Sequence, residues 1–290
     1  MSNLKELLKN CTVCPRGCGV DRTAGERGRC RSGAAIVVSS ASLHFGEEPM
    51  LVGRSGSGTI FFTACNLACV FCQNHEISRL DRGREISPDE LYRMIFSLQE
   101  AGALNINLVS PTHQAPQIFN VIRRAKAEGL RAPVVYNSGG YENAAFLKEL
   151  TGLVDIYMPD FKYGDNAAAE RFSGVSDYVD RAREAFREMH RQVGNLVLDG
   201  PGSTRGWPHG TARRGLLVRH LVLPQGAARS RAVIDFLADE ISSGTALNIM
   251  DQYHPCYHAA DYPELSRRVY RSEVEEVIAY AKARGMNRIL

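Results

Sequence analysis

The sequence predicts an α/β protein whose parallel strands form either a partial barrel or an open sheet. Three observations support this class: six short apolar runs, segments of helical spacing between them, and capping sequences at the start of two of those segments. The apolar runs that read as strands are residues 58–63, 105–111, 133–137, 154–159, 215–223 and 246–250. Because parallel strands need a crossover connection, strands that alternate with helices indicate β/α units.

Helix boundaries are marked at several points in the chain. Residues 87–90 (SPDE) and 272–275 (SEVE) have the pattern of capping boxes, which predicts helices that begin after Ser87 and Ser272. Gly102, Gly129 and Gly285 follow the periodic segments and predict helix ends, because glycine readily adopts the left-handed conformation of a C-terminal cap. In either architecture, the loops that follow the strands form the reactive face.

The composition is that of a folded protein of ordinary charge. The 290 residues are 44% hydrophobic, and the formal net charge of +3 comes from scattered side chains, which argues against a nucleic-acid partner. No window approaches the roughly 18 apolar residues of a membrane span, so we expect a cytoplasmic protein without membrane association. The glycine-rich residues 53–58 suggest a Cys-rich metal-binding region at 1–57 and a β/α barrel with a C-terminal tail at 58–290.

Three cysteines directly follow the first predicted strand. Cys65, Cys69 and Cys72 lie in the segment FFTACNLACVFCQN and place three thiolates in one short loop. A structural zinc ion takes four protein ligands, whereas a 4Fe-4S cluster held by three cysteines keeps one iron open for a small molecule. The spacing therefore favours a 4Fe-4S cluster, with a zinc site that uses His75 as its fourth ligand as the alternative.

This segment also carries a family resemblance. The cysteine spacing, with Phe71 before the third cysteine, resembles the signature of the radical S-adenosylmethionine (SAM) superfamily, and residues 69–78 are similar to uncharacterised relatives of the pyruvate formate-lyase activating enzyme. The resemblance implies a partial (β/α)6 TIM-like barrel of the radical SAM type and a cluster whose open iron binds SAM. It also implies reductive cleavage of SAM to a 5'-deoxyadenosyl radical, with flavodoxin or ferredoxin as electron donor.

Later segments resemble the cofactor-binding parts of the same family. Residues 155–162 (DIYMPDFK) are similar to the fourth-strand motif whose Asp and Lys contact the methionine part of SAM, and residues 216–225 and 252–255 resemble further motifs. The second strand lacks the family's usual Gly-Gly-Glu-Pro ending and reads NLVSPTHQ, which offers Ser110 instead. The resemblance thus implies cofactor binding by Phe71, Ser110, Asn137, Ser138, Asp160, Lys162, Arg219 and His254. A structural ion pair is the alternative for Arg219, and a loop histidine without a ligand is the alternative for His254.

Two further side chains are candidates for catalysis at the predicted barrel mouth. His113 follows the second strand and could act as an acid or base, with a helix cap as the alternative. Cys256 lies in HPCYHAADYP and could donate a hydrogen atom or bind metal, although a lone cysteine more often packs as a small hydrophobic residue.

A second cysteine group lies near the N-terminus. Cys11, Cys14, Cys18 and Cys30 supply four soft ligands in a region with few apolar residues, so a bound metal would provide folding energy there. A second Fe-S cluster and a structural zinc ion fit this set equally well. The stretch CTVCPRGC resembles an N-terminal CxxCPRxC subgroup of the activase relatives.

Three functions are compatible with these motifs. The first is an activase-like enzyme that abstracts a hydrogen atom from a residue of a protein or peptide. The second is a radical SAM enzyme that acts on a small molecule. The third is a protein without catalytic activity that carries electrons or binds metal, against which the matched cofactor positions argue.

Overall fold

A computed structural model describes residues 4–200 and 210–290. The strands are β1 (Ile36–His44), β2 (Ser57–Phe62), β3 (Arg84–Ile86), β4 (Ile106–Val109), β5 (Val134–Ser138), β6 (Ile156–Pro159), β7 (Val197–Asp199), β8 (Thr211–Leu221) and β9 (Ala246–Met250). The α-helices are α1 (Pro49–Val52), α2 (His75–Ser78), α3 (Pro88–Glu100), α4 (Ala115–Ala127), α5 (Ala144–Lys148), α6 (Asn166–Ser173), α7 (Tyr178–Val193), α8 (Ser230–Phe236) and α9 (Arg271–Ala283). A π-helical turn, Leu237–Ile241, continues α8.

The six predicted strands form the parallel part of one sheet. They are β2, β4, β5, β6, β8 and β9, and each pairs in parallel with the next. Helices connect most of these strands, as parallel pairing requires. Among the described strands, no pairing joins β9 back to β1 or β2, so the barrel is partial. The predicted α/β class and partial barrel are confirmed.

Three strands were not predicted. Strand β1 pairs antiparallel with both β2 and β3, and β7 pairs antiparallel with the start of β8. Strand β8 therefore begins at Thr211, four residues before the predicted start, because its first residues pair with β7. Strand β1 lies within the proposed N-terminal region of residues 1–57 and joins the barrel sheet, while the domain boundary itself stays a prediction.

The predicted helix signals are mostly confirmed. Ser87 caps α3 with a reciprocal capping box, and left-handed Gly102, Gly129 and Gly285 follow the ends of α3, α4 and α9. The predicted cap at Ser272 is wrong, because α9 already begins at Arg271. The Glu273 carboxylate instead accepts from the backbone N–H of Tyr270 at 2.7 Å, which starts the helix two residues earlier.

The two faces of the sheet differ in what covers them. A large apolar core packs one face against the helices, whereas a smaller cluster on the other face joins Met50 and Leu51 of α1 to Val135, Met158 and Leu217 of three strands. Helix α1 therefore fills the apolar part of the barrel interior. No helix in residues 4–200 and 210–290 is long and apolar enough to cross a membrane.

Candidate active site

The three-cysteine loop leaves the C-terminal end of β2 through a tight turn. Ala64 has a left-handed backbone conformation, with φ of 73°, and its N–H donates to the carbonyl of Ile77 at 2.9 Å. Such a conformation is costly for a residue with a side chain and persists where the surrounding structure enforces it. The turn directs Cys65, Cys69 and Cys72 into the open end of the barrel, where all three are partly buried free thiols.

The donor set of this loop fits a 4Fe-4S cluster. Burial, with a smaller contribution from the neighbouring Cys69 and Cys72, raises the pKa of Cys65 to about 12, so the thiols lie within electrostatic reach of one another. Burial also raises the pKa of Cys69. Thiols that resist ionisation by themselves become thiolates when they bind metal, which couples cluster binding to proton release. Three cysteines would leave one iron of a cubane without a protein ligand.

His75, the fourth ligand of the zinc alternative, contacts Tyr257 and the backbone of the cysteine loop. The His75 ring stacks on Tyr257 with 4.9 Å between the ring centroids, and its Nδ1 lies 3.2 Å from the Cys72 carbonyl oxygen. Within the described ranges, no three His, Cys, Asp or Glu side chains have the arrangement of a metal-ion site. The fit to a cluster therefore rests on the chemistry of the three thiols and their position on one loop.

A cavity of about 240 Å³ opens beside this loop at the C-terminal ends of the strands. The predicted residues Phe71, Asp160, Lys162 and Arg219 all line it, together with two cysteines of the loop. The full lining comprises Cys69, Phe71, Cys72, Gln73, Asn74, Asp160, Lys162, Arg219, Leu221, Leu223, Met250 and Gln252. Residues that are distant in the sequence thus meet next to the cysteine loop.

Paired charges form the polar wall of the cavity. The Asp160 carboxylate accepts from Lys162 Nζ at 2.6 Å and from Arg219 Nε at 2.8 Å. Burial alone would raise the pKa of Asp160, but the Arg219 and Lys162 charges outweigh it, so the pKa lies below its usual value. Burial would lower the pKa of Lys162, but Asp160 and Cys69 raise it well above its ordinary value. Both groups are therefore charged at neutral pH.

Sequence reasoning missed a carboxylate beneath this wall. The Glu47 Oε2 atom lies 3.4 Å from Arg219 Nη1, and its Oε1 accepts from Asn107 Nδ2 at 3.1 Å. Burial raises the pKa of Glu47 above its ordinary value, although Arg219 opposes the rise. The segment HFGEEP stands out in the sequence, but it does not reveal a contact with a residue of β8.

The predicted residues at the ends of β4 and β5 make different contacts. The Asn137 Oδ1 atom accepts from Arg219 Nη2 at 2.7 Å, so Asn137 holds a residue that lines the cavity. The Ser138 Oγ atom accepts from the Gly140 N–H at 3.3 Å, since adjacent strand residues face opposite ways. Ser110 has a left-handed φ of 55° and donates its N–H to the Asn137 carbonyl at 2.8 Å. Their roles in cofactor binding stay predictions.

The segment after β9 reaches the rim of the cavity. The Nδ1 atom of His254 lies 3.4 Å from Nε2 of Gln73, which is itself a lining residue. The Cys256 thiol donates to the carbonyl oxygen of Phe71 at 3.2 Å, so it packs behind the cysteine loop. Neither His254 nor Cys256 is among the described residues that line the cavity, and their predicted roles stay predictions.

The structure places His113 beneath the cysteine loop and away from the cavity lining. The imidazole is 1% exposed, and its Nε2 lies 2.7 Å from the Thr63 carbonyl oxygen, so Nε2 carries the proton and donates. Burial lowers the pKa of His113 to about 4, which keeps the ring neutral. The buried guanidinium of Arg22 donates to the His113 carbonyl. These contacts hold the cysteine loop and the N-terminal region together, and the catalytic role of His113 stays a prediction.

The N-terminal cysteines lie in a compact region that docks on the cysteine loop. Cys11, Cys14 and Cys30 are buried and Cys18 is partly buried, all as free thiols. Burial raises the pKa of Cys14 to about 12, and the nearby Cys30 and Cys11 add to the rise. In the same region, Arg16 Nε donates to a carbonyl of the cysteine loop at 3.0 Å. Whether these thiols bind a second Fe-S cluster or zinc stays a prediction.

Comparison with known proteins agrees with this arrangement. The profile of the Radical SAM superfamily matches residues 59–208, which is more than half of the 290 residues. The uncharacterized protein MJ0674 of Methanocaldococcus jannaschii is 32% identical over 98% of this chain and 78% of its own length. A pyruvate formate-lyase-activating enzyme of Clostridium pasteurianum is 21% identical over 53% of this chain and 63% of its own length.

A solved structure shares the fold. Streptococcus suis SuiB bound to the precursor peptide SuiA superposes with a TM-score of 0.50 at 13% identity. The match covers 78% of this chain and 46% of SuiB, so the chain spans about half of that protein's length. The superfamily profile, the long alignment with the archaeal protein and the cysteine loop at the barrel mouth lead to one conclusion: this chain belongs to the radical SAM superfamily of enzymes.

Proposed function

We propose that this radical SAM enzyme abstracts a hydrogen atom from a residue of a protein or peptide, as glycyl-radical activases do. Membership of the superfamily implies a 4Fe-4S cluster and SAM as cofactors. When bound, these cofactors supply one-electron reductive cleavage of SAM and a carbon radical that takes up hydrogen. The proposed electron donor is flavodoxin or ferredoxin.

The charged wall of the cavity has the chemistry to hold the amino-acid part of SAM. Lys162 offers a partly buried point charge to a carboxylate, and Asp160 offers a carboxylate to an ammonium group. Arg219 holds Asp160 in place, and Glu47 in turn holds Arg219, both from the interior of the barrel. These residues would fix the orientation of the cofactor beside Cys69 and Cys72.

The size of the cavity is the observation that carries the proposal. Pockets that enclose a drug-sized ligand measure about 300–1,000 Å³, whereas this cavity measures about 240 Å³. A cavity of this size is too small to enclose SAM together with a second molecule. A polypeptide loop can reach the cofactor from the open side, where Gln73 and His254 form the rim. SuiB, which shares the fold, is itself known in complex with a peptide.

Isotope transfer tests this proposal with a complete cell extract as the source of substrate. The anaerobic, reconstituted enzyme is given dithionite, SAM and an extract of its own source cells grown in deuterated medium. Ultrafiltration first divides the extract into a polypeptide fraction and a small-molecule fraction. Abstraction breaks a carbon–deuterium bond of the substrate and forms a carbon–deuterium bond in 5'-deoxyadenosine, so the label appears in that molecule. We expect it from the polypeptide fraction, as measured by mass spectrometry.

Two controls make the result specific. Digestion of the polypeptide fraction with a protease, followed by removal of the peptides, should abolish the transfer, and Cys69→Ala should give no product with either fraction. Transfer only from the small-molecule fraction would support the alternative that the enzyme acts on a small molecule. Transfer from neither fraction would contradict both functions.

A further inference from the structure

A buried hydroxyl contacts one of the three cluster cysteines. Ser173, the last residue of α6, is fully buried, and its Oγ lies 2.9 Å from the Sγ of Cys69. On its other side, the same Oγ lies 2.6 Å from the hydroxyl oxygen of Tyr163. A chain of two hydrogen bonds thus ends on a sulfur that the loop presents to the cluster.

The direction of these hydrogen bonds follows from the chemistry of a ligating cysteine. A cysteine that binds iron has lost its proton, so its sulfur can only accept a hydrogen bond. The Ser173 hydroxyl must therefore donate to Cys69. Since the single proton of that hydroxyl is then used, the Tyr163 hydroxyl must donate to Ser173 Oγ.

Backbone pairing holds Ser173 against Cys69. The N–H of Ala68 donates to the Ser173 carbonyl at 3.1 Å, and the N–H of Val70 donates to the Phe172 carbonyl at 2.9 Å. These two N–H groups lie on either side of Cys69 and pair with carbonyls at the end of α6 that would otherwise lack helical partners. The serine position is therefore fixed by the fold before any cluster binds.

An arginine of the N-terminal region reinforces the same junction. Arg16 donates through Nε to the Asn66 carbonyl at 3.0 Å and through Nη1 to the Gly174 carbonyl at 2.8 Å. One side chain thus ties the cysteine loop to the residue that follows Ser173. This contact keeps the end of α6 and the loop at a constant distance.

The other two sulfurs have longer contacts. The N–H of Leu67 lies 3.4 Å from Cys65 Sγ, and the Ser78 hydroxyl lies 3.2 Å from Cys72 Sγ. The Ser173 contact is the shortest of the three. The hydroxyls of Ser173 and Tyr163 are both fully buried, and hydrogen bonds are electrostatically stronger away from water. Among the three contacts, we expect this one to have the largest effect on the reduction potential of a bound cluster.

We propose that Ser173, positioned by Tyr163, raises the reduction potential of the cluster through its hydrogen bond to Cys69. Reduction by one electron adds a negative charge that spreads onto the sulfurs, so a donor stabilises the reduced form more than the oxidised form. The hydrogen bond would ease the reduction that SAM cleavage requires. This inference rests on cluster ligation by Cys69 and is independent of the substrate.

The test is a reductive titration of the reconstituted protein without SAM or substrate, followed by electron paramagnetic resonance and visible absorption. At a fixed poised potential near the wild-type midpoint, Ser173→Ala should lower the ratio of reduced to oxidised cluster about tenfold, which corresponds to ~59 mV for one electron. Tyr163→Phe should shift the ratio in the same direction by a smaller factor. Ser173→Thr, which keeps the hydroxyl, should restore the wild-type ratio.

The matched control is Ser57→Ala. Ser57 is also fully buried and bonded through its hydroxyl, but it lies at the opposite end of β2 and bonds Asn105. Its loss should leave the cluster potential unchanged. A wild-type potential in cluster-loaded Ser173→Ala would overturn the proposal. If Ser173→Ala does not take up iron, an unchanged cluster potential in Tyr163→Phe would overturn the proposal. A wild-type cluster that is not bound by Cys69 would also overturn it.

Discussion

Lys162 and Asp160 show how single residues prepare this site. Their side chains are 19% and 17% exposed, and they pair at 2.6 Å beside the cysteine loop. A buried ion pair costs desolvation free energy, and removal of one partner leaves the other charge uncompensated. Arg219 shares the Asp160 carboxylate, so the cavity keeps its charges even before a ligand enters. The carboxylate and ammonium groups of a bound amino acid can then pair with Lys162 and Asp160 in place of the pairing between these two side chains.

The first prediction concerns the cationic member of this pair. Lys162→Met should weaken SAM binding about 10- to 100-fold, because a hydrogen bond to a charged group is worth roughly 1.5–3 kcal/mol. Isothermal titration of the cluster-loaded protein with SAM measures the change. The matched control is Lys126→Met, since Lys126 pairs with Asp155 at 2.9 Å just before β6 and away from the cavity. Equal affinities of wild type and Lys162→Met would contradict the assigned role.

At the scale of elements, the turn after β5 allows the loop after β6 to approach closely. Gly140 has a left-handed φ of 77°, and a Cβ at this position would overlap the carbonyl oxygen of Asp160. The Tyr178 hydroxyl lies in the same junction, where it accepts from the Lys162 N–H at 2.8 Å. Glycine is therefore required at position 140, where any side chain would push away the backbone that carries Asp160 and Lys162.

The second prediction separates crowding from backbone strain. Gly140→Ala should lower the free energy of unfolding by about 3 kcal/mol or more, because it adds steric overlap to a left-handed conformation. Gly152→Ala is the matched control, since Gly152 has a similar φ of 79° with nothing within 4 Å of the added Cβ. That variant should lose only about 1 kcal/mol. Urea unfolding followed by circular dichroism measures both values, and equal losses would contradict the close approach.

The elements that sequence reasoning identified are those with strong local signals. The strands of the parallel sheet are short apolar runs, and the capping box at Ser87 is a contact between near neighbours. The antiparallel strand β1 contains polar and small residues in the run SSAS, so its strand character depends on pairing with β2 and β3. Strand β7 is only three residues long and likewise depends on its partner, β8.

At the scale of the whole molecule, the contacts that complete the site join distant parts of the chain. Ser173 lies 104 residues from Cys69, and Glu47 lies 172 residues from Arg219. Neither serine nor glutamate carries a motif that reveals such a contact in advance. The cysteines, Asp160 and Lys162 were found because their spacing matched a family pattern, whereas supporting residues became visible only when the sheet brought them together.

At the same scale, His113 makes contacts that the sequence does not reveal. A histidine after a barrel strand often faces the barrel mouth, but this one turns beneath the cysteine loop to donate to Thr63. Arg22 of the N-terminal region then contacts its carbonyl. The N-terminal region, the second β/α unit and the cysteine loop are thus joined by one buried residue, whose orientation the sequence does not determine.

The central claim is that Cys65, Cys69 and Cys72 hold a cluster at which SAM is reductively cleaved. The most direct measurement is the release of 5'-deoxyadenosine from anaerobically reconstituted protein given dithionite and SAM. The account predicts release by the wild-type protein and none by Cys69→Ala, because a cubane with two protein ligands is not retained in the reactive position. No release from fully loaded wild-type protein, or equal release from Cys69→Ala, would contradict it.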